Sequence, residues 1–283
     1  MERAAFSEEP YRRFSLMNAD QSAGRQTMAT PEGFAVTTFT YADKPRPVYR
    51  AGSGPAVIIL SEIPGITPQV VRFARYVVDA GFSVYMPHLF GEVMRAPTRG
   101  YAMKIMAQCC ISAEFRVLAA HRSSPIVDWL RALANQAHKE QGGKGVGAVG
   151  MCFTGNFALA MMLGAPLLAP VLSQPSLPFF KKDGLHASDE EIAAAQERID
   201  NDGARILGLR FHGDPFCRVE RFQHLSKTFG KAFEAIELDP ACANPQGPKP
   251  IHSVLTNHLI DAAGEPTRMA LDRVLAFLRE QLY

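Results

Sequence analysis

Cysteine is scarce in this sequence, and its spacing excludes the common metal-binding patterns. Five cysteines occur among 283 residues, with no Cys-x-x-Cys pair and no Cys/His pair at zinc-site spacing. The adjacent Cys109 and Cys110 lie in a helix-like segment and are expected to be core thiols. The simplest interpretation is a cytoplasmic protein with free thiols and with neither a metal nor another cofactor.

An excess of one charge is also missing. The chain has 30 Lys and Arg against 28 Asp and Glu, a formal net charge of +2, so neither nucleic acid nor an anionic membrane is an expected partner. The longest stretch without a polar side chain, Phe157 to Leu172, is interrupted by Pro166 and Pro170 and is too short to span a bilayer. Residues Met1 to Asn18 mix Glu and Arg without an apolar core, so no signal peptide is predicted.

Strand-like and helix-like segments alternate through most of the chain. Residues 1–32 are polar and aperiodic and are predicted to form an irregular arm, whereas residues 33–283 are predicted to form one α/β domain. Short apolar runs separated by amphipathic segments indicate a mainly parallel sheet with helices on both faces. Strands are predicted at 34–41, 47–50, 56–60, 82–86, 145–149, 167–172, 205–211 and 233–238. Helices are predicted at 70–80, 98–137 with a break near 123–125, 156–163, 188–200, 219–229 and 267–282.

Cys152 lies at the turn between a predicted strand and a predicted helix. Gly150 and Gly155 flank it in the pattern Gly-x-Cys-x-x-Gly, close to the Gly-x-Ser-x-Gly nucleophile elbow of α/β-hydrolases. Small residues allow the sharp turn that lifts the nucleophile above the sheet. The dipole and free amides of the following helix favour a thiolate and a developing oxyanion. The local pattern alone equally allows a buried cysteine in an ordinary strand–turn–helix unit.

Three more polar residues follow predicted strands, where the sites of parallel sheets form. Glu62 follows the strand at 56–60, Asp214 follows the strand at 205–211, and His252 comes after the last strand and a Pro-rich loop. Cys, Asp and His therefore occur in the chain order of α/β-hydrolase triads. Each has a simpler interpretation, because Glu62 and His252 could be loop residues and Asp214 part of a surface turn.

Over residues 34–283 the sequence resembles the dienelactone hydrolase family of α/β-hydrolases. Five segments and the closing amphipathic helix at 270–282 support the resemblance. The segments are Ser61-Glu62-Ile63-Pro64-Gly65, Tyr85-Met86-Pro87-His88-Leu89-Phe90-Gly91, Gly150-Met151-Cys152-Phe153-Thr154-Gly155, His212-Gly213-Asp214 and His252-Ser253.

The resemblance implies a carboxylic ester hydrolase that acts on a small ester, lactone or thioester through an acyl-enzyme. It implies a triad in which Cys152 is the nucleophile, His252 the base and Asp214 the residue that orients the base. It also implies that Glu62 contacts the Cys152 thiol. The oxyanion hole is expected to consist of the backbone N–H groups of Ile63 and Phe153.

The sequence departs from the family at two substrate-binding positions. The family places arginines where this chain has Glu92 and Thr256, so an anionic dienelactone is expected to bind poorly and neutral esters are expected to be preferred. Arg95 or Arg99 could supply the missing charge from the same loop.

Two alternatives remain open from the sequence. His258, six residues after His252, could be the base instead. The chain could also be a non-catalytic binding or redox-sensing protein in which Cys152 is a buried or oxidisable thiol. A serine esterase is disfavoured because no Gly-x-Ser-x-Gly occurs. The sequence does not indicate an oligomeric state.

Overall fold

A computed structural model describes residues 30–115 and 124–283 and contains one eight-stranded sheet. The spatial order is β1-β2-β4-β3-β5-β6-β7-β8. The first two strands pair antiparallel with each other, and β2 pairs antiparallel with β4, whereas all remaining pairs are parallel. The strands are β1 Ala35–Tyr41, β2 Lys44–Ala51, β3 Ala56–Leu60, β4 Ser83–Pro87, β5 Val146–Met151, β6 Leu167–Ser173, β7 Ile206–Phe211 and β8 Phe233–Leu238. The predicted α/β-hydrolase fold, with its mainly parallel sheet, is confirmed.

Seven α-helices of the described ranges connect or cover these strands. They are α1 Pro68–Asp79, α2 Arg99–Ile111, α3 Pro125–Gln141, α4 Phe157–Ala160, α5 Asp189–Asp202, α6 Val219–Phe229 and α7 Pro266–Leu282. Every residue of β3 to β7 is buried, so helices and loops cover both faces of the central sheet. None of these helices is long and apolar enough to cross a membrane.

Local chemistry explains where several helices begin. The hydroxyls of Thr67 and Thr98 accept hydrogen bonds from the first turns of α1 and α2. Ser188 and Glu191 form the capping box that the sequence predicts at the start of α5, because each side chain binds the other's backbone N–H, at 3.2 and 2.6 Å.

Two predicted helices differ from the structure. The break predicted near 123–125 in the helical segment at 98–137 is confirmed by the start of α3 at Pro125, but α2 already ends at Ile111 and residues 112–115 are not helical. Residues 116–123 lie outside the described ranges. The helix predicted at 156–163 is reduced to α4, because turns begin at Met161 and Gly164 takes a left-handed φ of 72° before β6. Residues 1–29 of the predicted arm also lie outside the described ranges.

The carboxyl ends of β3, β5, β6, β7 and β8 face the same edge of the sheet. These five strands are consecutive neighbours in the sheet and run parallel. The loops that follow them therefore converge, and the predicted functional residues lie on these loops.

Candidate active site

Cys152 occupies a strained turn directly after β5. Its φ of 54° lies in the left-handed region, which is unfavourable for a residue with a side chain and is characteristic of functional sites. A Cβ atom at Gly150 would lie 2.4 Å from the carbonyl oxygen of Thr154, and one at Gly155 would lie 2.5 Å from Cα of Pro175. The two glycines of the sequence pattern are thus required by close backbone approach. The turn leaves Cys152 partly exposed at a cavity.

His252 and Asp214 form a short, buried hydrogen bond. Nδ1 of His252 lies 2.6 Å from Oδ2 of Asp214, whose side chain is fully buried. The other carboxylate oxygen of Asp214 accepts the backbone N–H groups of Phe216 and Cys217 at 2.9 and 3.2 Å. Because the ionised carboxylate only accepts hydrogen bonds, it holds the proton on Nδ1 and leaves Nε2 facing the cavity.

The environment of His252 favours the imidazolium form. Burial alone would lower the pKa of His252, but the negative charge of a Cys152 thiolate and the hydrogen bond to Asp214 outweigh it. The pKa of His252 is therefore raised well above its usual value. An imidazole of this kind can take the proton of the thiol.

The hydroxyl of Ser176 lies close to both the sulfur of Cys152 and the ring of His252. Its hydroxyl oxygen is 3.5 Å from Sγ and 3.3 Å from Nε2, and its backbone N–H donates to the carbonyl oxygen of Cys152 at 3.0 Å. Ser176 is fully buried and follows β6 by three residues. Sequence analysis missed it, although inspection of the residues after every strand would have included it.

His258 is part of the loop that carries His252. Its Nδ1 accepts the backbone N–H groups of His252 and Ser253 at 3.4 and 3.1 Å, and its Nε2 donates to the carbonyl oxygen of Pro248 at 2.9 Å. Burial lowers the pKa of His258, so the ring is neutral in this arrangement. Both ring nitrogens are thus occupied by backbone groups, and Asp214 is paired with His252 instead.

Glu62 is tied to the same loop. Its carboxylate accepts hydrogen bonds from Ser253 at 2.7 Å, from Thr256, and from Asn257 and Gln174 at 3.3 Å each. Among the described residues these four are its partners, and the predicted contact with the Cys152 thiol is not among them. Glu62 is only 2% exposed, so these donors compensate a buried charge.

The two residues of the predicted oxyanion hole are both associated with the region around Cys152. Ile63 lines the cavity together with Cys152, and Phe153 is the next residue in the chain. The Phe153 ring makes edge contacts with Phe90, Phe115 and Phe157 at centroid distances of 5.4 to 6.0 Å. This aromatic packing fixes the backbone at the point where an oxyanion donor is expected.

A cavity of about 660 Å³ opens onto Cys152 and His252. Helix α2 lines one side of it, with Arg99, Ala102, Met103, Met106 and Ala107. Lys249, like Arg99, places a positive charge on its wall, and among the described residues no Asp or Glu lines it. In residues 30–115 and 124–283, no group of three or more His, Cys, Asp and Glu side chains is suited to hold a metal ion.

Arg221 of α6 is a buried organising residue that sequence analysis did not identify. Its guanidinium donates to five backbone carbonyl groups, those of Pro175, Pro178, Lys181, Gly184 and Phe216. These carbonyls belong to the loop after β6, which carries Ser176, and to the loop after β7, which carries Asp214. An arginine in an amphipathic helix gives no local signal of such a role.

The family model of the dienelactone hydrolase family matches residues 40–238, which is more than half of the chain. The chain belongs to the dienelactone hydrolase family. It is accordingly a carboxylic ester hydrolase. A search of curated proteins finds no match.

Solved dienelactone hydrolase structures share the fold at low sequence identity. One from Klebsiella pneumoniae is 16% identical with a TM-score of 0.61, over 87% of this chain and 98% of that one. A dienelactone hydrolase-like promiscuous phosphotriesterase, P91, from metagenomic libraries is 19% identical with a TM-score of 0.59, over 88% and 98%. The dienelactone hydrolase from Anabaena variabilis is 12% identical with a TM-score of 0.56, over 88% and 98%.

The residues at the two family arginine positions do not line the cavity. Glu92 is exposed and pairs with Arg95 at 2.5 Å, and Arg95 in turn lies 3.9 Å from the centroid of the Tyr101 ring. Thr256 is fully buried and binds Glu62. Direct repulsion of an anionic substrate by Glu92 is therefore not supported, whereas the absence of arginines at both positions remains, and the preference for neutral substrates stays a prediction. Of the two candidate replacements, Arg99 lines the cavity and Arg95 does not.

Proposed function

We propose that the protein hydrolyses esters with Cys152 as the nucleophile, through a covalent acyl-enzyme. The observation that supports this most directly is the chain of polar contacts from Asp214 through His252 to Cys152 at the cavity wall. The three residues come from three different loops, yet they lie together beside one cavity. A catalytic triad requires this proximity of nucleophile, base and orienting carboxylate.

Acylation begins with transfer of the Cys152 proton to Nε2 of His252. The thiolate attacks the carbonyl carbon of the ester, and the carbonyl oxygen becomes an oxyanion that the N–H groups of Ile63 and Phe153 would bind. When the tetrahedral intermediate collapses, the C–O bond to the alcohol breaks. The imidazolium gives its proton to the departing alcohol and leaves a thioester on Cys152.

Deacylation repeats the proton transfers with water as the nucleophile. His252 accepts a proton from water while the oxygen attacks the thioester carbonyl, and the sulfur leaves as a thiolate. The proton returns to that sulfur, so the carboxylic acid is released and Cys152 is regenerated. Asp214 keeps Nδ1 protonated throughout and stabilises each imidazolium.

Glu62 has a positioning role in this proposal. Its contacts with Ser253, Thr256 and Asn257 hold the loop that starts at His252. These hydrogen-bond donors satisfy the buried carboxyl group of Glu62, so its positioning role does not need a contact with the nucleophile.

The decisive experiment compares wild type and Cys152→Ala on a panel of chromogenic esters, thioesters and lactones. We expect the variant to fold with an unchanged circular dichroism spectrum and to lose essentially all turnover. Mass spectrometry should also show iodoacetamide labelling of wild-type Cys152 below neutral pH, which a buried structural thiol would not show. Turnover by Cys152→Ala at the wild-type rate would refute the nucleophile assignment.

A further inference from the structure

Apart from Arg99 and Lys249, the wall of the cavity beside Cys152 is mostly apolar away from the loops that hold the reacting groups. Its polar neutral residues, Ser176, Ser253 and Asn257, belong to the loops that hold the triad, and Thr98 caps α2. The remaining wall consists mostly of apolar side chains. On the side of α2 these are Ala102, Met103, Met106 and Ala107, and elsewhere they include Phe179, Phe216, Pro248 and Pro250.

The size of this cavity exceeds what a simple lactone ring needs. A volume of about 660 Å³ is in the range of pockets that enclose drug-sized ligands, and a large apolar wall gains free energy only when apolar atoms cover it. Met103 and Met106 are unbranched and adapt to irregular apolar shapes. The wall is therefore suited to an extended apolar group.

We propose that the physiological substrate is an ester with an extended apolar group that lies beneath α2 while the ester carbonyl contacts Cys152. This inference rests on the proposed hydrolase function, since it needs the carbonyl at the nucleophile. Arg99 and Lys249 are exposed at the cavity and leave the apolar face of α2 uninterrupted.

The test measures kcat/KM for two substrate series, p-nitrophenyl esters from acetate to decanoate and alkyl acetates from methyl to octyl. We expect kcat/KM to rise along at least one series, by up to about fourfold per added methylene until the cavity is filled. Ala107→Phe should lower kcat/KM for the long substrates more than for acetate and so remove the advantage of chain length. The matched control is Gln108→Phe, because Gln108 is exposed on the same helix and does not line the cavity.

Flat profiles along both series, with turnover that still requires Cys152, would overturn the apolar-group proposal and leave the hydrolase proposal standing. Equal effects of Ala107→Phe and Gln108→Phe on long substrates would overturn it as well. Turnover that does not require Cys152 would instead refute the proposed function.

A second inference comes from an independent observation, the position of Ser176. The geometry points to Ser176 as a further catalytic residue. Its hydroxyl donates a hydrogen bond to the Cys152 thiolate and accepts a hydrogen bond from the Nε2–H group of the His252 imidazolium. The two distances, 3.5 Å to Sγ and 3.3 Å to Nε2, allow both contacts at once. The carbonyl oxygen of Gln174, at 3.2 Å, accepts the same hydroxyl when the sulfur is protonated.

The test is the pH profile of iodoacetamide alkylation of Cys152 in the full-length protein. Removing a donor to a charged sulfur in Ser176→Ala should move the midpoint of the profile up by about one pH unit. Ser176→Gly is a second hydroxyl-free variant should the first not fold, and Ser176→Thr should retain the wild-type profile. Ser83→Ala is the matched control, because it removes a buried hydroxyl that binds Gln141 at the start of β4.

Superimposable profiles for wild type and the hydroxyl-free variants would overturn the role of Ser176. A wild-type thiol that does not react below neutral pH would instead weaken the proposed function itself. The two failures are therefore distinguishable in one data set.

Discussion

The hydroxyl of Ser253 donates a 2.7 Å hydrogen bond to the carboxylate of Glu62, across 191 positions in the sequence. This contact joins the loop after β3 to the residue directly after His252. His252 is thus held from two directions, by Asp214 on its ring and by Glu62 through Ser253.

Glu62→Gln should lower both activity and stability. The amide replaces one accepting oxygen with a donor that faces Ser253 or Thr256, so a buried set of hydrogen bonds loses a partner. We expect kcat to fall by about tenfold or more and the free energy of unfolding to fall by about 1.5–3 kcal/mol. Steady-state kinetics and urea unfolding measure the two effects. Glu92→Gln, at an exposed carboxylate, is the control, and equal effects of the two changes would contradict the assigned role of Glu62.

His252→Ala should be far more damaging to turnover than His258→Ala. General-base catalysis contributes about 10²–10⁴-fold, and only His252 is paired with Asp214. His258→Ala removes backbone contacts within the loop and should act mainly on stability. Rates for the two variants at equal folded fractions decide the matter, and the opposite ranking would make His258 the base.

Arg221→Met should destabilise the protein by about 3 kcal/mol or more. The change leaves three buried and two partly buried carbonyl oxygens without the guanidinium that now compensates them. The midpoint of urea unfolding measures the loss. Arg218→Met is the matched control, because Arg218 is exposed at the start of the same helix. A loss no larger than that of Arg218→Met would contradict the organising role.

His186 should make stability fall in mild acid. Burial lowers its pKa to about 4, and its ring contacts Phe157 at a centroid distance of 5.6 Å and binds Ser124 through Nε2. Between pH 6.5 and 4 the unfolded chain binds a proton that the folded protein does not, so stability decreases as pH falls, by about 3 kcal/mol in total. Urea unfolding at several pH values should show this slope, and His186→Gln should reduce it. An identical slope in both proteins would contradict the prediction.

The charge of the substrate should affect kcat/KM through Arg99, which lines the cavity, and not through Glu92. Arg99→Gln is expected to lower kcat/KM for p-nitrophenyl hydrogen succinate by about twofold to fivefold and to leave p-nitrophenyl butyrate unchanged, because the exposed charge interaction is weak. Glu92→Gln should change neither value, since Glu92 faces Arg95 outside the cavity. A change in the preference for charged over neutral substrates in Glu92→Gln would instead show that position 92 contacts the substrate, as the family resemblance implies.

The fold could be predicted closely from local patterns in the sequence. The bounds of β3, α6 and β8 agree residue by residue, because apolar runs and amphipathic periods there end at clear turn residues. The sharp turn at Gly150 and Gly155 could also be predicted from the sequence. The structure supplies its reason, because close backbone contacts leave no space for a side chain at either glycine. Membership of the dienelactone hydrolase family was likewise predicted from short motifs and is confirmed.

Side-chain partners across the sheet could not be predicted in the same way. Glu62 and Thr256 bind each other although 194 positions separate them, and nothing local to either residue encodes the pairing. The same holds for Arg221, whose five acceptors are backbone groups of distant loops. Roles of individual residues in catalysis, including the Cys152, Asp214 and His252 assignment, stay predictions that the variants above test.

Helix α2 separates the chemistry of this protein from its selectivity. The proposed reacting side chains come from loops after the parallel strands, whereas α2 lies between β4 and α3, packs Tyr101, Ile105 and Cys109 into the core and lines the cavity with other side chains. Substitutions along its inner face can therefore reshape the binding space without moving the nucleophile or its base. A combinatorial library confined to positions 102, 103, 106 and 107 would be a compact route to new ester specificities on an unchanged scaffold.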